Sequence, residues 1–411
     1  MTDCTVITAA FVAPMDQPIL RDGAIAFADG RILSVGQHDE VVSSHRNADI
    51  IDADRSIILP GLINAHTHLE LSACNCGDAP ASFTGWILSI PQRLAQVCDD
   101  RNEAFARGVR EGIAQCLRFG VTAIGDTSQQ FHITRPILRE SPLRAVSYGE
   151  ALGLGGARQR FERLMGEAVR LDQQTDRLRI GLTPHAPYTV DRLGYEQCVS
   201  VVRPQRLPLA THLAETPEES EFLLHQTGAF RELWEGLGQW RDDIPLAGLR
   251  PVPFAQIVGL LDYPTLLAHV NYCEDGDLRL LAQSQASVVW CPRTHRYFGH
   301  PPHRWRDMLQ AGINVAVGTD SCASSPDLNL LDDLRLVRRQ SPDVPAQTLF
   351  ELVTTRAAKA LQWSDQLGSL TSGKCADMAV FPAEGLDPME TLLNEPILPS
   401  QVWIGGQRVV G

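Results

Sequence analysis

The chain is nearly without lysine. Two of its 411 residues are lysines, Lys359 and Lys374, against 34 arginines, and the first lies near the far end. Excess positive charge is also missing. The net charge is −13, which repels phosphate backbones and argues against nucleic acid as a partner. No apolar run reaches the 18 or so residues a membrane span needs, so no membrane partner is expected. The ten cysteines have no repeated spacing. The closest pair, Cys74-Asn75-Cys76, leaves one residue between thiols, which is poor bridge geometry. Reduced thiols and a cytoplasmic location are therefore expected. The apolar stretch Thr5 to Met15 has no basic flank and follows Asp3, so it reads as a strand and not as a leader. Internal repeats and low-complexity tracts are absent. With 44% hydrophobic and 21% charged residues, the composition excludes a mainly disordered chain.

What is present is a change of texture along the chain. Residues 1–58 read as short strands broken by turns: Cys4 to Val12, Ala24 to Ala28, Arg31 to Val35 and Asp49 to Asp52. The C-terminal stretch reads the same way, with strands at Asp377 to Phe381 and Gln401 to Ile404 and a hairpin turn at Gly405-Gly406. Between them, short apolar runs alternate with amphipathic stretches. Eight candidate strands are Ile58 to Ala65, Thr122 to Gly125, Arg144 to Tyr148, Arg179 to Leu182, Leu207 to Thr211, Thr265 to Ala268, Ser287 to Trp290 and Asn314 to Val317. Eight βα units predict an α/β fold, a (β/α)8 barrel over residues 59–365. Residues 1–58 and 366–411 together predict a small flanking β-sandwich domain built from both termini. The long connection Pro217 to Leu261 reads as extra packed helix.

Polar residues collect just after these strands. His66 and His68 follow the first, His185 the fourth, His212 the fifth, His269 the sixth and Asp320 the eighth. Barrel active sites lie at this end of the strands, and buried polar groups are costly unless paired. In His66-Thr67-His68, side chains two apart on a strand share a face, so two imidazoles reach the mouth together and suit one divalent ion. Glu215, three residues after His212, is a carboxyl group near the same end of the strands. Taken alone, it reads equally as a helix N-terminal residue beside Thr216-Pro217-Glu218-Glu219.

Pro60-Gly61-Leu62-Ile63-Asn64-Ala65-His66-Thr67-His68, Thr211-His212-Leu213-Ala214-Glu215-Thr216, His269 and Gly318-Thr319-Asp320-Ser321 resemble the amidohydrolase superfamily. The nearest branch is the cytosine deaminase-like group, with its methylthioadenosine/S-adenosylhomocysteine, aminodeoxyfutalosine and guanine deaminases and its triazine hydrolases. The resemblance implies one metal held by His66, His68, His212 and Asp320, with Glu215, His269 and Asp320 as the catalytic groups. Three imidazoles and a carboxylate suit Zn²⁺, with Fe²⁺ or Mn²⁺ as substitutes. Binuclear relatives bridge two metals through a carboxylated lysine, and no lysine precedes Lys359, so a mononuclear site is expected. The implied reaction is hydrolytic deamination: metal-activated hydroxide adds to a carbon bearing an amino group and ammonia leaves.

Substrate contacts are expected from the loops. Trp86 is placed to stack on a purine and Arg93 to bind a carboxylate. Glu150 is expected at a ribose hydroxyl. His185, within Pro184-His185-Ala186-Pro187-Tyr188, is expected at the substrate. His295, His300 and His303 fall within nine residues. They read as polar loop residues in preference to a second metal site, with His295 reaching substrate. A small-molecule substrate of 6-aminopurine nucleoside type, best matched by aminodeoxyfutalosine, is the first reading. Deamination of guanine, cytosine or another heterocycle, and triazine dechlorination, are the alternatives. A metal-binding scaffold without catalysis is disfavoured by the carboxylates beside the histidines. A homodimer is the assembly that the resemblance suggests.

Overall fold

The apolar run from Ser56 to Thr67 is divided at Gly61. A Cβ there would lie 2.1 Å from the Thr122 hydroxyl, so the chain passes this close to Thr122 only as glycine. The expected single strand Ile58 to Ala65 is therefore two strands. Ser56–Pro60 joins the terminal sheet, and Leu62–Thr67 opens the barrel. The computed structural model describes residues 4–383 and 385–411.

Eight parallel strands follow one another in chain order: Leu62–Thr67, Val121–Ser128, Arg144–Ala151, Leu178–Pro184, Leu209–Leu213, Thr265–His269, Ser287–Trp290 and Asn314–Val317. A bridge between Thr67 and Asp320 brings the last strand back to the first. Alternate residues fill the lumen, including Ile63, Ala65, Val146, Tyr148, Ala210, Leu266, Ala268, Val289 and Ala316. Their neighbours, such as Leu267, Val288 and Val315, pack outward under the helices. Ala357 and Ala358 of the helix Thr355–Ala360 join the lumen cluster, so one end of the barrel is plugged. The opposite end carries the polar residues.

The terminal strands form one mixed sheet in the order Gln407–Val410, Gln401–Ile404, Met378–Pro382, Ser56–Pro60, Thr5–Val12, Leu20–Ala28, Arg31–Gln37, with Asp49–Asp52 beside Thr5–Val12. It folds back on itself. Arg31 bridges to Cys375, and Phe27 meets Trp403 edge-on at 5.5 Å, enclosing a second apolar core. Gly405 and Gly406 both have positive φ, as a tight hairpin turn requires. Arg144, at the start of the third barrel strand, clamps this sheet through two hydrogen bonds to Asp377, at 2.7 and 3.2 Å. No helix among the described residues is long and apolar enough to cross a membrane.

The connection after the fifth strand carries the helices Pro217–His225, Ala229–Gly236 and Pro251–Ile257. Phe230 is buried and stacks on Tyr188 at 3.8 Å, and the Trp234 indole donates to the Tyr188 carbonyl. This is the packed helix that the sequence suggests, and it roofs the barrel mouth with apolar rings.

Candidate metal centre and active site

Strand alternation alone does not aim the histidines. Ile63 and Ala65 face the lumen, so an even strand would turn His66 outward. The register against the second strand slips between Asn64 and Thr67, three residues opposing two. This bulge reverses the facing, and His66 and His68 enter the mouth with ring centres 5.0 Å apart. His269 has the same problem, since Ala268 already faces inward. Positive φ at His269 (75°) and Val270 (49°) rotates the imidazole to within 5.4 Å of both His66 and His212. Asp320 also has positive φ, 57°. Its amide and that of Thr319 both donate to the His66 carbonyl at 3.1 Å. Gly318 lets these segments touch: a Cβ there would stand 2.6 Å from that carbonyl oxygen.

The donors converge. His66, His68 and Asp320 place one ligand atom each within 4.8 Å of the others, as do His66, His212 and His269. His68 Nε2 and His212 Nε2 are 3.2 Å apart. The Asp320 Oδ1 lies 3.6 Å from His68 Nε2 and 3.8 Å from His66 Nε2. The other Asp320 oxygen accepts from Ser324 at 2.7 Å. The His212 Nδ1 donates to the His185 carbonyl at 3.0 Å, and the Thr127 carbonyl meets the His68 ring. Such bonds leave the Nε2 lone pairs free. The His66 Nε2 is buried with no hydrogen-bond partner. Burial pushes His66 well below the usual imidazole range, with neighbouring rings adding to it, holds His68 at about 4, and lowers His212. Neutral imidazoles whose lone pairs face one another repel, and a divalent cation resolves that repulsion. The residues fit a metal of the N/O-ligated type.

Glu215 stands apart from this group. Its backbone amide and that of Ala214 donate to the Glu219 carboxylate at 2.9 and 2.8 Å. Glu219 opens the helix Pro217–His225 at the third position after its Thr216 cap. Glu219 thus ties the residues before the helix to its first turn, and the Glu215 side chain faces His269 Nε2 at 3.5 Å. Burial raises Glu215 well above the usual carboxylate range, with Asp320 and Glu219 adding to it, which favours its protonated form.

Other expected residues lie around this centre. Glu150 is buried, with one oxygen unpartnered, 3.9 Å from His185 Nε2 and 4.0 Å from His212 Nδ1. His185 is pinned through Nδ1 to the Thr189 hydroxyl at 2.9 Å. The Trp86 indole donates to the Ala323 carbonyl, three residues past Asp320, and its ring joins Phe83 and Phe298 in an aromatic wall. Arg93 does not join the cluster. Its Nε binds Ser89, and its Nη1 binds the Asn75 and Cys76 carbonyls, so it ties down a loop. His295 packs with Trp290, His300 and His303, and its Nε2 is buried and unpartnered. His303 bonds the His269 carbonyl at 2.9 Å. These three histidines form no ligand group among the described residues. His295 lies in the short helix Pro292–Tyr297 and not in a loop, whereas His300 and His303 follow that helix. Arg160 escapes a sequence reading. No hydrogen bond among the described residues holds its guanidinium, and its charge couples to Glu150 and His185. Its only signal is its place in the helix after the third strand.

A parallel barrel that gathers imidazoles and a carboxylate at its strand ends, with a second carboxyl held nearby, defines the architecture of a metal-assisted hydrolase. Residues 57–409 match the amidohydrolase family. The chain belongs to that family. It is 30% identical over 416 residues to a 5-methylthioadenosine/S-adenosylhomocysteine deaminase of Nitratidesulfovibrio vulgaris (strain DSM 19637 / Miyazaki F), covering 93% of this chain and 86% of that one. It is 26% identical over 402 residues to an adenosine deaminase of Helicobacter pylori, covering 95% and 96%. The Helicobacter pylori aminofutalosine deaminase in complex with methylthio-coformycin superposes with a TM-score of 0.86 at 25% identity, covering 99% and 100%.

Proposed function

We propose that the protein is a metal-dependent aminohydrolase acting on a 6-aminopurine nucleoside-like substrate, with aminodeoxyfutalosine the leading candidate. The bond broken is the C–N bond of a cyclic amidine. The observation that carries this reading is the division of labour between Glu219, which holds the Ala214 and Glu215 amides, and Glu215, whose side chain faces His269 beside the donor cluster.

His66, His68, His212 and Asp320 would hold one divalent metal, with zinc the first choice. Such a metal supplies a Lewis acid and lowers the pKa of water to about 7. Asp320, with one oxygen fixed by Ser324, keeps the other aimed at the site and accepts the proton of the attacking water. Glu215 gives its proton to the ring nitrogen next to the reacting carbon; as the C–N bond breaks, the departing amine takes the proton held by Asp320 and the new hydroxyl returns its proton to Glu215. Water adds to that carbon, the C–N bond breaks, and ammonia leaves. His269 Nε2 stabilises charge on the new oxygen. Trp86 and Phe298 offer a face for the base, Glu150 an acceptor for a ribose hydroxyl, and His185 a further contact. Arg160, whose guanidinium no hydrogen bond among the described residues holds, takes the place of Arg93 as the cation for an acidic distal group. The enzyme would work in the cytoplasm as a homodimer, with the barrel over residues 59–365 as its catalytic domain.

The test is ammonia release by zinc-loaded protein from aminodeoxyfutalosine, adenosine, methylthioadenosine, S-adenosylhomocysteine, guanine and cytosine. Release from a purine nucleoside, lowered about 10²–10⁴-fold in Glu215→Gln with zinc still bound, supports the reading. Zinc binding with no ammonia from any of them overturns it, and chloride release from a triazine would redirect it.

A further inference from the structure

Glu70 follows the metal-ligand candidate His68 by two residues, where an extended strand would place it as another donor. The chain does not stay extended. Leu69–Leu71 forms a single 3-10 turn, and Glu70 turns away from the metal group. It is 5% exposed, and its carboxylate accepts three hydrogen bonds from the end of the second strand. Ser128 Oγ and the Gln130 amide reach Oε2 at 2.6 and 2.8 Å, and the Gln129 amide reaches Oε1 at 3.1 Å.

The neighbouring contacts run in step. The Leu69 amide donates to Asp126 Oδ1 at 3.0 Å. Residues 69 and 70 are thus both held by the stretch 126–130. On the other side, the helix Arg101–Arg118 presses on the turn through glycine: a Cβ at Gly108 would meet the Glu70 carbonyl oxygen at 2.4 Å. A buried carboxylate bonded wholly to one neighbouring loop loses much of its hydration, and it earns its place only if that loop must stay put.

We propose that Glu70 is a positioning residue: it locks the turn that follows His68 against the 126–130 segment, and so fixes the direction from which His68 Nε2 faces the metal. This rests on the metal-site reading above. The experiment is zinc titration of the chelator-stripped protein against a competing chelator, with cobalt(II) absorption as a second readout of coordination geometry. Wild type, Glu70→Ala, Glu70→Gln and His68→Ala are compared.

The expected result is about 10–100-fold weaker zinc binding in Glu70→Ala with an altered cobalt spectrum, and a smaller loss in Glu70→Gln, which keeps one acceptor oxygen. Circular dichroism checks that each variant is folded. If Glu70→Ala does not fold, Ser128→Ala removes one of the three bonds without touching the His68 segment, and several-fold weaker binding is expected. A folded Glu70→Ala, or in its place Ser128→Ala, with wild-type zinc affinity and cobalt spectrum overturns the proposal. Zinc binding that survives in His68→Ala as in wild type, or is absent from wild type, overturns the metal site itself.

Discussion

One methyl group added at Gly318 tests whether barrel closure sets the metal site. In Gly318→Ala the new Cβ would lie 2.6 Å from the His66 carbonyl oxygen, 2.8 Å from its nitrogen and 3.0 Å from its Cβ. The first contact is about 0.8 Å inside ordinary van der Waals distance, and two of the three atoms are backbone, which cannot swing aside. The segments carrying His66 and Asp320 must therefore part, and the two amide bonds to the His66 carbonyl lengthen. Overpacking of this kind costs about 1–3 kcal/mol, and displaced ligands lose affinity. Chemical denaturation of the metal-free protein reads the first effect, and chelator competition reads the second. We expect zinc to bind at least about tenfold more weakly. Gly166→Ala is the control: nothing lies within 4 Å of its Cβ, and in the helix Arg158–Ala168 it should gain about 0.5–1 kcal/mol. A Gly318→Ala protein with wild-type stability and zinc affinity would refute the reasoning.

Glu219→Ala leaves the Ala214 and Glu215 amides buried without partners, so a loss of about 1–3 kcal/mol and a fall in kcat are expected by denaturation and steady-state assay. A variant that loses neither would show that these two bonds do not hold Glu215 in place. Arg160→Ala should raise KM for a substrate with a distal carboxylate and leave adenosine unchanged, while Arg93→Ala should lower stability without that selectivity. Burial holds His68 at about 4 and His303 at about 3 in the folded state, against an ordinary value of 6.5. The unfolded chain then takes up protons first as pH falls. Metal-free stability should decline from about pH 6.5 toward pH 4, by up to about 1.4 kcal/mol per pH unit for each such histidine, whereas stability independent of pH in that window would contradict the buried neutral state.

The eight barrel strands, their order and the donors at their ends are legible in the sequence because each rests on local facts: a short apolar run, its turn residues and the polar residue that follows. His66, His68, His212 and Asp320 are found this way, and Glu215 through the family resemblance. The facing of those side chains is not local. His66 turns inward because the first strand bulges against the second, and His269 because its backbone is left-handed. Alternation alone would have sent both outward. The split at Gly61 likewise depends on Thr122, sixty-one residues away. Arg93 and Arg160 look alike as arginines on helices, and only the carbonyls of Asn75 and Cys76 show which is spent. Composition and spacing thus determine which donors exist and at which end of the barrel they gather. Contacts between distant segments decide where each side chain points and which polar groups are left free, because hydrogen bonds and close packing are satisfied only when the whole chain is in place.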